Sequence, residues 1–271
     1  VESHLFGDVD YRDEGDDWGQ VALQGPKSGD ILKKLCAEQY IPAKYYTFID
    51  NVPLDLGSRK AIKNVSKLIW YPAEVDVSIR KGWFYHLNED YEVKPLSKLM
   101  DIYYNSVGAN ASLLLNIPPN KDGLFAQRDV ETLLAMGAQL QIDFNENLAD
   151  DSVMTDSCRL DDEHCGQMAL THNADEYWHS GFDHDHATLT LDLGDDYDID
   201  KIVLSEHIAT GQQIEKFSLY AQINGKWKKI FTGTVIGSKR ICRFEEMRVQ
   251  YIKLVIEETR CFATISKFEA Y

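Results

Sequence analysis

Hydrophobic positions between residues 28 and 146 recur at helical spacing in some stretches and form short apolar runs in others. Apolar residues three or four positions apart share one face of a helix. The spacing therefore predicts three helices, over 29–41, 95–107 and 127–145. The near-continuous apolar run over 111–117 predicts a strand covered on both faces, as in a parallel sheet. Helices alternating with such strands predict an α/β fold.

The pattern changes after residue 147. The segment 147–166 holds six acidic residues and little periodicity, which predicts a solvated linker or entry loop. Beyond it the strand signals are alternating or short apolar runs, over 187–193, 201–205, 215–223 and 251–256. Asn224-Gly225 predicts a tight hairpin, because a type I′ turn needs positive φ at both central positions. We therefore expect two domains, 1–146 and 147–271, the second an antiparallel β-sandwich.

The net charge and the lengths of the apolar runs argue against two classes of binding partner, nucleic acids and membranes. The chain has 271 residues, with 28 Lys and Arg against 44 Asp and Glu, a net charge of −16. This balance argues against nucleic acid and against anionic membrane surfaces, which both require basic patches. No apolar run approaches the roughly 18 residues of a membrane span. We expect no nucleic acid partner and no membrane insertion, and the sequence leaves the oligomeric state open.

The densest group of chemically distinctive residues lies within 70–86. Sugars present apolar C–H faces beside fixed hydroxyl groups, so a sugar site needs aromatic walls together with polar side chains. This stretch supplies both, with Trp70, Tyr71, Glu74, Asp76, Arg80, Trp83, Phe84, Tyr85 and His86. If 67–70 is a barrel strand, Glu74 and Asp76 lie just past its carboxyl end, where barrel active sites are built. The alternative is an aromatic loop packed between domains, with an internal Asp76–Arg80 salt bridge.

Three stretches resemble one known family in the right order. The stretch from Trp70 to His86 resembles the late-barrel signature of glycoside hydrolase family 29, the retaining α-L-fucosidases. Asp101 to Leu124 is similar to the final helix and strand of that barrel, and 210–240 is similar to its C-terminal domain. The resemblance implies the C-terminal part of a (β/α)8-type barrel, followed by an all-β antiparallel sandwich like discoidin and carbohydrate-binding modules.

The resemblance also implies an activity. Family members hydrolyse terminal α-L-fucosyl linkages in glycans without a cofactor, using a nucleophilic Asp and a second carboxyl group as acid/base, about 5–5.5 Å apart. The nucleophile belongs to a Trp-Phe-Asp-Gly-like motif that this sequence lacks, and 146 residues fall short of the roughly 250 of a complete barrel. We therefore expect the chain alone to be incomplete or inactive. The alternative is a non-catalytic carbohydrate-binding or assembly protein derived from the same fold.

Two carboxylates compete for the acid/base role. The stretch from Phe6 to Trp18 is similar to the family's acid/base segment, which implies Asp17 as acid/base and Arg12 as a substrate-binding residue. Their alternatives are a solvated acidic loop for Asp17 and a surface ion pair for Arg12. Glu74 is the rival catalytic carboxylate, with binding of sugar hydroxyl groups as its alternative role.

Further expectations concern residues that line or support the pocket. Trp83 is expected to pack against the C6 methyl group of fucose, with core packing as the alternative. His86 is expected to hydrogen-bond near the pocket, with a structural role as the alternative, and Trp70 and Asp76 complete the substrate-binding set. Asn116 is expected to organise the end of its strand.

The second domain carries a polar loop rich in histidine and aspartate. Its members are His172, Asp175, His179, Asp183, His184, Asp185 and His186. Their spacing matches neither an EF-hand nor a zinc site, so we expect a solvated loop without a metal. A single Ca²⁺ is the alternative. A secreted, periplasmic or lysosomal location is expected, because glycan substrates lie mostly outside the cytosol.

Overall fold

The structure is a computed structural model that describes residues 54, 55, 57–64, 73–182 and 186–271. All of them belong to one structural unit, Phe48–Tyr271. The predicted helix over 29–41 and the predicted strand over 67–70 lie outside the described residues. Arg12, Asp17 and Trp70 lie outside them as well.

The first described part alternates helices and strands as the hydrophobic pattern predicts. Its elements are α1 (Arg59–Ile62), β1 (Glu74–Ser78), α2 (Leu96–Ser106), β2 (Ser112–Asn116) and α3 (Gln127–Asp143). Strands β1 and β2 pair in parallel, from Glu74 opposite Ser112 to Ser78 opposite Asn116. The predicted α/β class, the second and third predicted helices and the 111–117 strand are therefore confirmed, each within a few residues.

One face of this two-stranded sheet packs against the helices. Val75 and Val77 of β1 are 1% exposed and share a core with Leu99 and Ile102 of α2. On the opposite face Leu114 is 51% exposed. Within the described residues β2 is thus covered on one face, whereas the sequence predicted cover on both.

The second part is antiparallel, as predicted. Its strands are β3 (Val153–Asp156), β4 (Trp178–His179), β5 (Thr188–Ser205), β6 (Ile214–Ile223), β7 (Lys226–Gly233), β8 (Arg240–Thr259), β9 (Thr264–Ile265) and β10 (Lys267–Ala270). The larger sheet has the order β10-β5-β8-β6-β7, with β3 also paired to β5, and β4 pairs with β9. Trp178 of β4 and Ile265 of β9 share one core with Phe217 and Leu254 of the larger sheet. The two sheets therefore enclose a common apolar layer.

The hairpin prediction is confirmed, and two strand boundaries differ from expectation. Asn224 and Gly225 have φ of 51° and 73° between β6 and β7, which is the left-handed geometry of a tight turn. The runs over 201–205 and 251–256 are not separate strands but parts of the long strands β5 and β8.

The prediction of a solvated linker over 147–166 is wrong. Strand β3 lies within it and pairs with the first half of β5, and Ala149 is fully buried. The Asp161 side chain caps a short 3-10 helix, Asp162–His164. Five of the six acidic residues are exposed, and the sixth, Asp156, accepts from the backbone N–H of Gly166 at 2.8 Å. The strand that orders this segment, β5, lies further along the chain.

The two parts meet at the amino-terminal edge of β2. Asn110, just before β2, donates its backbone N–H to the Lys239 carbonyl and accepts from the backbone N–H and hydroxyl of Ser238 through Oδ1, at 2.7 and 2.6 Å. Ile241 donates to the Gly108 carbonyl at 3.0 Å. These contacts lie at the opposite end of the strands from Ser78 and Asn116. None of the helices in the described ranges is long and apolar enough to cross a membrane.

Candidate active site at the carboxyl edge of two parallel strands

The carboxyl ends of β1 and β2 lie side by side, because Ser78 is in register with Asn116. In parallel α/β sheets ligands bind at this edge, where the loops that follow the strands converge. The loop after β1 runs over 79–95 and carries most of the aromatic stretch singled out in the sequence. The residues from Trp83 to His86 of the expected site therefore follow this edge.

Asn116 ties the two strands to the loop that carries Trp83. Its side-chain amide Nδ2 donates to the Ser78 hydroxyl at 3.1 Å and to the Trp83 carbonyl at 3.0 Å. The expectation that Asn116 organises the end of its strand agrees with these contacts. The same residue also fixes the backbone of the proposed aromatic wall.

Arg80 is the charged centre of this edge. Its side chain is 1% exposed and forms ion pairs with Asp129 (Nε to Oδ2, 3.0 Å) and Asp90 (Nη2 to Oδ1, 2.8 Å). The alternative interpretation from sequence, an Asp76–Arg80 salt bridge, is wrong: the partners come from the following loop and from the first turn of α3. Two carboxylates compensate a buried guanidinium that burial alone would destabilise.

A lysine closes the loop at its far end. Lys94 Nζ donates to the carbonyls of Ser78 and Arg80, at 2.6 and 3.0 Å. The backbone N–H of Lys94 also donates to the Ile79 carbonyl at 2.8 Å. The loop therefore leaves β1 and returns to it at the same place.

A cavity of about 50 Å³ lies against this edge and is lined in part by Ser78, Arg80, Trp83 and Lys94. Pockets for small ligands occupy roughly 300–1,000 Å³. The cavity that the described residues form here is thus too small to enclose a ligand of that kind. Trp83 is half-buried beside this cavity, and His86 is exposed beyond it, with its backbone carbonyl accepting from Glu89.

Glu74 and Asp76 lie within β1 rather than in a loop beyond a strand end. Glu74 is its first residue, about 13 Å from Ser78 at roughly 3.3 Å per residue. Asp76, two residues before Ser78, is half-buried, and its Oδ1 is buried without a hydrogen-bond partner among the described residues. The expectation that both lie just past a strand end is therefore wrong, because residues 74–78 themselves form a strand. Asp76 is therefore the nearer of the two to the carboxyl edge.

Sequence reasoning missed Asp129 and Lys94 as members of this edge. Asp129 is fully buried, although it stands in the first turn of an otherwise amphipathic helix. A carboxylate in the first turn of a helix is ordinarily exposed to solvent and interacts favourably with the helix dipole. The sequence therefore gives no indication that Asp129 is buried. Its position against Arg80 emerges only from the fold.

The antiparallel part has a larger cavity of its own, about 470 Å³. It is lined in part by His172, Asp175, Glu206 and Lys239. Glu206 is 2% exposed and accepts backbone N–H donors from Gln213, Ile214 and Gly237. Burial raises the pKa of Glu206 to about 7, although the hydrogen bonds from these three donors act to lower it.

The histidine-rich loop does not converge on a metal within the described residues. His172 Nε2 pairs with Asp150 at 3.3 Å, and the buried His179 ring accepts from the backbone N–H of Gly181 through Nδ1. No three His, Cys, Asp or Glu side chains come together in the described ranges. Asp183, His184 and Asp185 lie outside them, and the calcium alternative stays a prediction.

Comparison with known proteins addresses the family directly. Residues 33–145 match the family model described as alpha-L-fucosidase. Residues 33–145 are a segment of the alpha-L-fucosidase family. We call these residues the fucosidase segment. It contains Ser78, Arg80, Trp83, Asn116 and Asp129 of the carboxyl edge. Residues 153–268 match the model of the F5/8 type C domain, so the antiparallel part is named accordingly.

Individual relatives agree with this assignment. Alpha-L-fucosidase 1 of Arabidopsis thaliana is 35% identical over 208 residues, which are 74% of this chain and 41% of that protein. The crystal structure of SpGH29 is 34% identical with a TM-score of 0.71, over 75% of this chain and 44% of that one. A Ruminococcus gnavus GH29 fucosidase in complex with fucose is 28% identical with a TM-score of 0.70, over 74% of this chain and 41% of that one. The chain therefore spans about two fifths of the length of the relatives it matches.

Proposed function

We propose that the protein to which this chain belongs hydrolyses terminal α-L-fucosyl linkages in glycans. The observation that carries the proposal is the position of the Asn116, Arg80 and Trp83 cluster. It lies at the carboxyl edge of two parallel strands and inside the fucosidase segment. This is the edge at which (β/α)8 enzymes place their chemistry. The proposed fold of this segment is the C-terminal part of such a barrel, ending near residue 146.

The proposed mechanism uses two carboxyl groups with retention of configuration. One attacks the anomeric carbon, and the other protonates the departing oxygen and then activates water. Asp17 and Glu74 are the acid/base candidates. The distance of Glu74 from the carboxyl edge, about 13 Å along β1, favours Asp17. No residue of this chain is proposed as the nucleophile, because the sequence has no Trp-Phe-Asp-Gly-like motif.

The remaining roles concern the sugar itself. Trp83 is proposed to form the apolar wall for the C6 methyl group, since its ring is half-buried and its backbone is fixed by Asn116. Arg12, Trp70, Asp76 and His86 are the other substrate-binding candidates. The substrate is a fucosylated glycan, the reaction needs no cofactor, and the proposed location is secreted, periplasmic or lysosomal.

The test is the release of fucose from 4-nitrophenyl α-L-fucoside by the full-length protein. Proton NMR of the first product distinguishes the stereochemical outcomes: a retaining enzyme releases α-L-fucose before mutarotation, and an inverting enzyme releases the β anomer. Turnover with the α anomer first supports the proposal. A folded full-length protein without turnover would contradict it and favour a non-catalytic carbohydrate-binding or assembly protein.

A further inference from the structure

Arg80 joins three separate elements at the carboxyl edge. It continues directly from β1, its Nε pairs with Asp129 of α3, and its Nη2 pairs with Asp90 of the intervening loop. Its Nη1 also donates to the Glu89 carbonyl at 3.0 Å. The planar guanidinium donates to these partners from three nitrogens held in a rigid fork, whereas a lysine carries all its donors on one nitrogen.

Among the described residues, Arg80 is the one ion-pair partner of Asp129. Asp129 is fully buried, and its second oxygen, Oδ1, has no hydrogen-bond partner in the same part of the chain. Loss of Arg80 would remove this compensating charge, and desolvated unpaired charges are strongly disfavoured. Arg80 and Asp129 therefore fix each other, and with them the start of α3 relative to the end of β1.

The loop between these anchors carries the proposed sugar-facing residues. Asn116 holds the loop at the Trp83 carbonyl, and Arg80 holds it again at Glu89 and Asp90. Trp83 and His86 lie between the two attachments. The short 3-10 helix Leu87–Glu89 connects His86 to the second one. The geometry of this stretch is thus set from both ends by buried or half-buried contacts.

We propose that Arg80 is a positioning residue for the fucosidase reaction: by holding Glu89, Asp90 and Asp129 together, it keeps the Trp83–His86 stretch at the carboxyl edge. This inference rests on the proposed function. Arg80 does not touch the sugar; it acts through Trp83. Displacement of a substrate wall by about 1 Å can cost on the order of a hundredfold in rate.

The test uses the full-length protein with two variants of different severity. Arg80→Lys keeps the charge and loses the three-way contact. Asp90→Asn is isosteric, and because Asp90 is 30% exposed it removes one ion pair with little risk to folding. The control is Arg248→Lys, which alters an exposed Arg–Asp pair in the F5/8 type C domain. Kinetics on 4-nitrophenyl α-L-fucoside are combined with near-ultraviolet circular dichroism, and Trp83→Phe identifies the signal of that ring.

Arg80→Lys is expected to lower kcat/KM roughly tenfold to a hundredfold, with a raised KM, and to alter the band that Trp83→Phe removes. Asp90→Asn is expected to show the same changes at smaller size, and Arg248→Lys to stay within twofold of the parent. Folded Arg80→Lys and Asp90→Asn proteins with parental kcat/KM and an unchanged Trp83 band would overturn the inference while leaving the proposed function intact. An inactive parent protein would overturn both.

Discussion

The side-chain amide of Asn116 lies 3.0 Å from the backbone carbonyl of Trp83 and donates a hydrogen bond to it. One residue at the end of β2 thus fixes the backbone of the aromatic residue that follows β1. The same amide also donates to Ser78, so the edge of the sheet and the loop beyond it share one donor. Because of this hydrogen bond, the backbone at Trp83 is tied to the end of β2.

The Asn116 contact should be measurable as stability. Asn116→Ala removes the donor from both Ser78 and Trp83, which should lower the free energy of unfolding by about 1–3 kcal/mol, since two partly buried acceptors lose their partner. Urea unfolding measures the change. Asn105→Ala, which removes one exposed bond from Asn105 to the Asp101 carbonyl, is the control and should cost less than about 1 kcal/mol. Equal losses in the two variants would show that the bridge adds nothing specific.

Removal of the Trp83 ring should weaken sugar binding. Trp83→Ala deletes the proposed apolar wall and should raise KM for the aryl fucoside roughly tenfold, the effect of about 1.4 kcal/mol of lost apolar contact. Trp227, which is 37% exposed on β7 with Lys253 over its ring at 3.9 Å, provides the control. Trp227→Ala should leave KM within twofold. A Trp83→Ala protein with parental KM would remove Trp83 from the substrate site.

The contact between the two parts of the chain should be sensitive to one methyl group. Gly237 has φ of 67°, and a Cβ there would overlap the side-chain amide of Asn110, which bonds to Ser238. Gly123 also has positive φ, at 76°, but has no heavy atom within 4 Å of the same Cβ position. Both Gly→Ala variants share the backbone strain of about 1–2 kcal/mol. Gly237→Ala should cost about 2 kcal/mol more in thermal or urea unfolding, through the displaced Asn110 bonds.

The matched pair separates the strain from the overlap. Equal losses for Gly237→Ala and Gly123→Ala would show that Asn110 moves aside without cost. The junction would then contribute less to stability than its hydrogen bonds suggest.

Glu257 should make the F5/8 type C domain sensitive to acid. Hydrogen bonds from Lys216 and Ser218, and a further one from Lys229, lower the pKa of Glu257 to about 2. A carboxyl group with a lower pKa in the folded state stabilises the fold above its unfolded pKa of about 4.5, and the stabilisation is lost as pH falls toward 2. The free energy of unfolding should therefore drop by up to about 3 kcal/mol from pH 5 to pH 2 through this group.

The acid effect is tested by urea unfolding across that pH range. Glu257→Gln should be less stable than the parent at pH 5 and should lose less stability on acidification. Glu245→Gln, at an exposed position of β8, should follow the parent curve. Parallel curves for the parent and Glu257→Gln would contradict the assignment.

Local patterns predicted much of this fold, and non-local pairings account for the errors. Helix α2 and the Asn224-Gly225 hairpin are encoded within a few residues, so spacing and turn chemistry suffice for them. Strand β3 has no strand signal of its own, because it is ordered by pairing with β5, which lies more than 30 residues further along the chain. The Arg80–Asp129 ion pair has no sequence signal either, because an acidic residue in the first turn of a helix is common and normally exposed. In the site, composition alone identifies the aromatic stretch that follows β1. The assumption of a strand over 67–70 led to the wrong expectation that Glu74 and Asp76 lie past a strand end, whereas they lie within β1.

A crystal structure of the full-length protein soaked with L-fucose would show whether the sugar binds at the carboxyl edge of β1 and β2. We expect density for the sugar there, with its methyl-bearing face against Trp83. Fucose bound only elsewhere, for example in the cavity beside Glu206 of the F5/8 type C domain, with the Trp83 edge empty, would contradict this expectation.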